Sequence, residues 1–140
     1  MSSLYLSNDQ LDLCEQLKQI GFPQEISPGV HLGRGFADLG YEQFVVLPAE
    51  KILSLFTGDI IEFNPDQSDY FFVIPDTEDL MQFLYVEDYD CELIDFEDGR
   101  EWSVTFTTAY GMLSGRGQTL WDALIFCSVH ALENQKEYAA

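Results

Sequence analysis

Proline and glycine cut this chain into short pieces, and that punctuation constrains the fold more than any other feature. Pro23, Pro28, Gly29, Gly33, Gly35 and Gly40 interrupt residues 23–40, and Pro48, Gly58, Pro65, Pro75, Gly99, Gly111 and Gly117 divide the rest of the chain. Both residue types disfavour a helix interior, proline by removing a donor and clashing, glycine by its backbone entropy. Two longer stretches with helical periodicity remain, one near each end. In residues 7–20, Ser7 and Gln10 have the spacing of a capping box, and Leu6 and Leu11 that of a hydrophobic staple. Leu13, Cys14, Leu17 and Ile20 follow a helical period, Gly21 supplies a left-handed stop and Pro23 prevents continuation. The second stretch runs from Leu120 to about Lys136, with Thr119 as cap and Asp122 three residues on. Leu120, Ala123, Leu124, Cys127, Ala131 and Leu132 form a stripe flanked by Trp121, Ile125 and Val129, which predicts a central core helix.

Between these ends the pattern is mostly extended. Short strands are expected near Val30–Leu32 and Gln43–Leu47. Pro48 reads as the first residue of a helix to about Phe56, with Ile52, Leu53, Leu55 and Phe56 as its apolar face and Gly58 as its end. Ile60–Phe63 and Tyr70–Ile74 read as two strands joined by a turn over residues 64–68. Asp76-Thr77-Glu78-Asp79 reads as the cap and acidic first turn of a helix over Glu78–Leu84, although the run Phe83–Val86 suits a strand as well. Cys91–Phe96 and Arg100–Thr107 form a predicted hairpin around Asp98-Gly99. A two-residue loop would set Trp102 against Asp95. A three-residue loop, Glu97-Asp98-Gly99, sets Ile94 against Trp102 and gathers Ile94, Phe96, Trp102, Val104 and Phe106 on one face. That register also puts Glu92 among them. Gly111 to Gly117 reads as a loop. The expectation is one α+β domain over residues 1–140, an antiparallel sheet of about four to six strands with an N-terminal helix and a long C-terminal helix packed on it.

A chain of 140 residues with 46% hydrophobic content can bury a single core without staples, and it is neither disordered nor low-complexity. No apolar run exceeds that of Tyr70–Ile74, which falls far short of the ~20 residues a spanning helix needs. The N-terminal Met-Ser-Ser-Leu-Tyr-Leu-Ser has no basic region and does not read as a secretory signal. Cys14, Cys91 and Cys127 form no Cys-x-x-Cys pair, so they read as free, buried thiols in a reducing, cytoplasmic setting. The net charge is −19, from 25 acidic and 6 basic residues. Such a surface repels duplex nucleic acid and anionic membranes, and it attracts basic proteins in a salt-sensitive way. The same charge also serves solubility.

Constellations with chemical potential are few. Cys127 and His130 share a helical face, and Cys14 and His31 could approach them from elsewhere in the chain. Cys127 lies in the apolar stripe, however, where a packed core thiol is the favoured reading. The two histidines match no zinc-ligand spacing. Asp88-Tyr89-Asp90-Cys91-Glu92 begins like a calcium loop, but Leu93 stands where the turn glycine is needed. Gly115-Arg116-Gly117 reads as a helix-capping loop rather than a phosphate cradle. No carboxylate pair is marked out for glycoside chemistry. The sequence therefore assigns no catalytic residue, no metal ligand and no cofactor.

The strongest feature is an acidic belt. Residues 76–101 hold eleven acids, and Arg100 is their only base. The candidate partner-binding residues are Asp76, Glu78, Asp79, Tyr85, Glu87, Asp88, Tyr89, Asp90, Glu92, Asp95, Glu97, Asp98 and Glu101. Carboxylates on a rigid hairpin can pair with Arg and Lys of a partner while aromatic groups anchor the centre. The bland alternative is a solvated face, which also protects a sheet edge from aggregation. The expected function is a non-enzymatic acidic protein that occupies a basic, nucleic-acid-binding site on a protein partner such as a nuclease. An accessory protein whose acidity serves solubility and an enzyme of unrecognised type are the alternatives.

Three segments carry a resemblance. The opening Leu6-Ser7-Asn8-Asp9-Gln10-Leu11 with Cys14-Glu15-Gln16-Leu17-Lys18-Gln19-Ile20-Gly21-Phe22-Pro23 resembles the first helix of small uncharacterised α+β proteins of bacterial genomes and their phages or mobile elements. Leu47-Pro48-Ala49-Glu50-Lys51-Ile52-Leu53-Ser54-Leu55-Phe56 is similar to their second, short helix. Gly117-Gln118-Thr119-Leu120-Trp121-Asp122-Ala123-Leu124 and Ala131-Leu132-Glu133-Asn134 resemble their last helix. The resemblance implies an α+β fold, assigns no catalytic residue and leaves segment 64–101 without a counterpart. A phage anti-defence inhibitor and a toxin-immunity protein both fit the acidic binding function expected from the charge.

Overall fold

The computed structural model describes residues 6–35, 40–109 and 111–139, with the backbone alone over 136–139. Residues 1–5, which belong to the segment weighed as a secretory signal, lie outside the described residues. The fold is α+β, with antiparallel sheets and a helix toward each end of the chain, as expected. Its strands divide between a five-stranded and a three-stranded sheet, which belong to two compact units, residues 1–75 and 76–140.

In the first unit, helix α1 spans Asn8–Gln19 and starts with the expected capping box: Gln10 N donates to Ser7 Oγ, and Ser7 N donates to Gln10 Oε1. Its end is a two-bond wrap in which Phe22 N bonds Leu17 O and Gly21 N bonds Lys18 O. That wrap needs a left-handed residue, and Gly21 supplies it at φ +109°. Strands β1 (His31–Gly35), β2 (Tyr41–Leu47), β3 (Lys51–Ser54), β4 (Ile60–Glu62) and β5 (Phe72–Ile74) come next, in the sheet order β4-β3-β2-β1-β5. Period-two alternation brings Leu32, Phe44, Val46, Ile52 and Val73 to one face, where Phe63 and Phe71 complete the core.

A flat five-stranded sheet would hold its edges roughly 19 Å apart. Yet Phe63, just after β4, and Phe71, just before β5, have ring centroids 5.2 Å apart, and Phe71 also meets Phe44 of β2 at 5.5 Å. The sheet therefore curls around Phe71. A 3-10 helix, Pro65–Tyr70, carries the chain between the two edges, so β4 and β5 are not hairpin partners across a 64–68 turn. Lys18 of α1 fixes this crossing by donating from Nζ to the carbonyls of Asp69 and Phe71.

The predicted helix over 48–56 is a β-hairpin instead. Leu47 pairs with Lys51 across a turn in which Ala49 (φ +66°) and Glu50 (φ +57°) are both left-handed. Ile52 and Ser54 point inward and Lys51 outward, with the period of a strand. Ladder bonds to β2 and β4 on both sides outweigh a local helical pattern in four apolar residues.

In the second unit, helix α2 (Thr77–Val86) begins with a reciprocal Asp76–Asp79 capping box, and it absorbs Phe83–Val86 as helix rather than strand. Strands β6 (Asp90–Glu97), β7 (Glu101–Thr108) and β8 (Gly111–Gly117) form a meander, and α3 (Leu120–Ala139) packs on β8 and β7. Thr119 caps α3 by accepting from Asp122 N at 3.1 Å. Residues 111–117 are thus a strand, not a loop. Their glycines answer a packing demand: a Cβ on Gly115 would lie 2.2 Å from Ala123 O, and one on Gly117 would lie 2.5 Å from Asp122 Cβ. Glycine at these two positions lets the helix backbone approach the strand.

The hairpin loop has three residues, as expected, but it is shifted by one. Glu97 pairs with Glu101, so Phe96 faces Trp102 and Ile94 faces Val104. The gathering of Ile94, Phe96, Trp102, Val104 and Phe106 on one face survives, because a shift of two in pairing preserves side-chain parity. Glu92 leaves that face through a bulge between Cys91 and Leu93, which puts Cys91 opposite Phe106.

This geometry predicts two stability outcomes. Ala49→Gly should raise unfolding free energy by about 1 kcal/mol in urea denaturation, whereas in a helix interior it would lower it by a similar amount. Gly115→Ala should lower it by about 2 kcal/mol or more, because the added methyl meets helix backbone that cannot rotate away.

Candidate functional site

The acidic belt lies wholly in the second unit, and the fold sorts its members into two groups. One group has structural work. Asp76 and Asp79 cap α2, and partial desolvation, with the adjacent Asp76 and Glu78 carboxylates behind it, raises the Asp79 carboxyl above its ordinary range. Glu87 accepts from Gln135 Nε2 at 2.5 Å. Asp88 (φ +66°) is the left-handed residue that ends α2, with Asp88 N bonded to Tyr85 O and Tyr89 N to Leu84 O. Asp98 (φ +55°) sits in the β6–β7 turn. Glu78 and Tyr85 are exposed on α2, and Tyr89 is half-buried.

The second group lies on the sheet. The face of β7 toward α3 carries Trp102, Val104 and Phe106, opposite Gly117, Gly115 and Leu113. Strand parity sends Ser103, Thr105 and Thr107 to the other face, and with them their β6 partners Asp95, Leu93 and Asp90. Glu97 and Glu101 share that parity. Glu92, released by the bulge, accepts from Thr107 Oγ1 at 2.9 Å and joins them. Asp90, Glu92, Asp95, Glu97 and Glu101 therefore share one sheet face. Arg116 of β8 is the single base among the described residues there, 3.8 Å from Glu97. With both partners well exposed, that pair contributes little. Helix α2 packs on α3, on the opposite side of the sheet, so Asp76, Glu78, Asp79 and Tyr85 are not part of this face.

Exposure adds an apolar component along β6. Leu93 lies among the carboxylates and is 50% exposed, while Ile94 and Phe96, on the α3 side, are 42% and 47% exposed. Phe96 stacks on Trp102 with centroids 5.0 Å apart. Helix α3 packs on β7 and β8, α2 touches β6, and β6 is an edge strand exposed from Asp90 through Phe96.

The thiol and histidine candidates separate. Cys127 and Cys14 are fully buried, and burial pushes both thiols up to about 12. His130 is exposed and lies 3.7 Å from Glu133, and His31 is half-buried on β1. Cys91 is exposed on β6, which corrects the expectation that all three thiols are buried. Gly115-Arg116-Gly117, read as a loop at a helix start, closes a strand instead. Among the described residues, no three His, Cys, Asp or Glu side chains converge as metal ligands, and no helix is long and apolar enough to cross a membrane.

One cluster was missed in the sequence. On the inner face of the curled sheet, Glu42 binds Arg34 at 3.3 Å and accepts from Ser54 Oγ at 2.7 Å. The Arg34 guanidinium lies over the Phe44 and Phe71 rings, 5.2 and 5.3 Å from their centroids. A cavity of about 380 Å³ opens beside it, toward Glu62, Gln67 and Tyr70. Alternation from Glu42 through Phe44 to Val46 was a usable signal, but reading 48–56 as helix hid the strand that delivers Ser54.

Comparison of the chain with protein-family models, curated proteins and solved structures finds no match.

In the folded protein one thiol, Cys91, should react with a disulfide reagent, with Cys14 and Cys127 joining only in denaturant. The raised folded-state values also set a sign. Stability should be unaffected by these thiols below pH 9 and should fall as pH rises from 9 toward about 12, because the unfolded chain ionises first.

Proposed function

We propose that this is a non-enzymatic acidic binding protein that occupies a basic, nucleic-acid-binding site on a protein partner. It acts through the carboxylate face of its three-stranded sheet. One observation supports this above the others: five belt carboxylates share that face, and among the described residues Arg116 is the single base there. Successive same-face positions on a strand lie roughly 7 Å apart, which spaces the carboxylates for a row of separate Arg and Lys side chains. Leu93 gives the centre of the patch an apolar contact. Duplex nucleic acid and anionic membrane are poor partners for a chain of charge −19. A phage anti-defence inhibitor or a toxin-immunity protein, acting in the cytoplasm, is the setting this reading suits.

A second reading has its own support. Asp76, Asp79, Glu87, Asp88 and Asp98 serve caps, turns and a helix contact, and a bulged, charged edge strand resists aggregation. On that reading the acidity serves folding and solubility in an accessory protein.

Affinity capture at about 50 and about 300 mM salt separates the two. The variants are Glu92, Asp95 and Glu97 changed to Lys, and as a charge-matched control Glu25, Asp59 and Asp66 changed to Lys, all exposed in the first unit. The proposal expects a partner retained at high salt by the wild type and the control and lost by the sheet-face variant. Capture that vanishes at high salt, or that both variants weaken equally, favours the solubility reading.

A further inference from the structure

We infer that β6 is a docking edge, which takes an extended basic segment of the partner as a fourth strand of the β6–β7–β8 sheet. This rests on the proposed function and names the way its acidic face is engaged. The four sheet edges of the molecule are not equivalent. β4 and β5 are three residues long, too short to seat a strand. β8, Gly111–Gly117, carries no carboxylate and has a base, Arg116, so its edge offers nothing to a basic strand. β6 is eight residues long and exposed from Asp90 through Phe96.

Its backbone is set for pairing. The Glu97 carbonyl accepts from Arg100 N across the turn at 3.0 Å, so Glu97 turns its backbone groups toward β7, and inward and outward residues alternate along an antiparallel strand. The N–H and C=O of Ile94 and Phe96 therefore point away from β7, toward the open edge. The bulge at Glu92 ends the regular run, which limits the docking length to Leu93–Glu97.

The side chains state what kind of strand belongs there. On one face an incoming strand meets Asp95 and Glu97, with Glu92 beside them; on the other it meets exposed Ile94 and Phe96. A segment alternating Lys or Arg with Val, Ile or Leu satisfies both faces at once. A second copy of this chain does not, since it would bring Asp95 and Glu97 near their own counterparts between two molecules of charge −19.

The test uses the full chain and two peptides of about nine residues, both alternating Lys and Val. In the second, alternate backbone amides are N-methylated, which keeps charge and side chains but removes edge donors. Affinity is read by titration at about 150 mM salt, and amide exchange at Ile94 and Phe96 by NMR. The expected result is binding of the plain peptide, at least about tenfold weaker binding of the methylated one, and at least about tenfold slower exchange at Ile94 and Phe96. Equal binding of both peptides with unchanged exchange overturns the docking edge and leaves the acidic-face reading standing. Slowed exchange with affinity unaffected by the Glu92, Asp95 and Glu97 to Lys changes keeps the docking edge and overturns the acidic-face reading. Binding of neither peptide overturns the inference, as does protection of the edge without peptide in a dimer of this chain.

Discussion

The bulge at Glu92 decides whether the carboxylates of β6 stand on one face of the sheet. Without the extra residue, the pairing of Leu93 with Thr105 would continue regularly and set Glu92 against Phe106, on the side of the exposed Ile94 and Phe96. Asp90 would turn with it, and the acids of β6 would then be split between the two faces of the sheet. The bulge puts Cys91 opposite Phe106 and hands Glu92 to the Thr107 hydroxyl. By that one irregularity Asp90 and Glu92 join Asp95 and Glu97, whose side is set by the hairpin register.

The uncovered edge is set by packing on the other side of the same sheet. Gly115 and Gly117 let α3 settle against β8, and the helix buries Ala123, Leu124 and Cys127 there. A helix centred over β7 and β8 leaves the far strand without a cover. The exposure of Ile94 and Phe96 is then a consequence of where the glycines are, and the acids on β6 keep such an edge soluble. In the first unit the opposite solution operates: the sheet curls until Phe63 and Phe71 meet, so its edges are short and its apolar face closes on itself.

Local signals were legible and non-local ones were not. The Ser7–Gln10 capping box, the Asp76 cap and the Thr119 cap are read within four residues, and each stands where expected. The hairpin at Asp98-Gly99 was legible for the same reason, and its shift by one residue kept the faces. Residues 48–56 misled because Pro48 suits a helix start and because left-handed Ala49 and Glu50 lack the glycine that marks such turns. Residues 111–117 misled because glycine signals a loop as readily as it signals close packing. The belt itself was visible as composition, but its division was not. Only strand parity shows that Glu92, Asp95 and Glu97 stand together while Asp76 and Asp79 are spent on a cap.

These features describe a small acidic protein whose sheet presents carboxylates in a fixed array beside an open strand. In the proposed function such an array would favour a partner's Arg and Lys side chains, since charges already placed on a strand need less ordering on binding. The most direct test of that account is competition on the captured basic partner between this protein and a labelled duplex oligonucleotide. The account predicts one-for-one displacement of the duplex by the wild type and none by the variant with Glu92, Asp95 and Glu97 changed to Lys. A partner that holds both the protein and the duplex at once would contradict it.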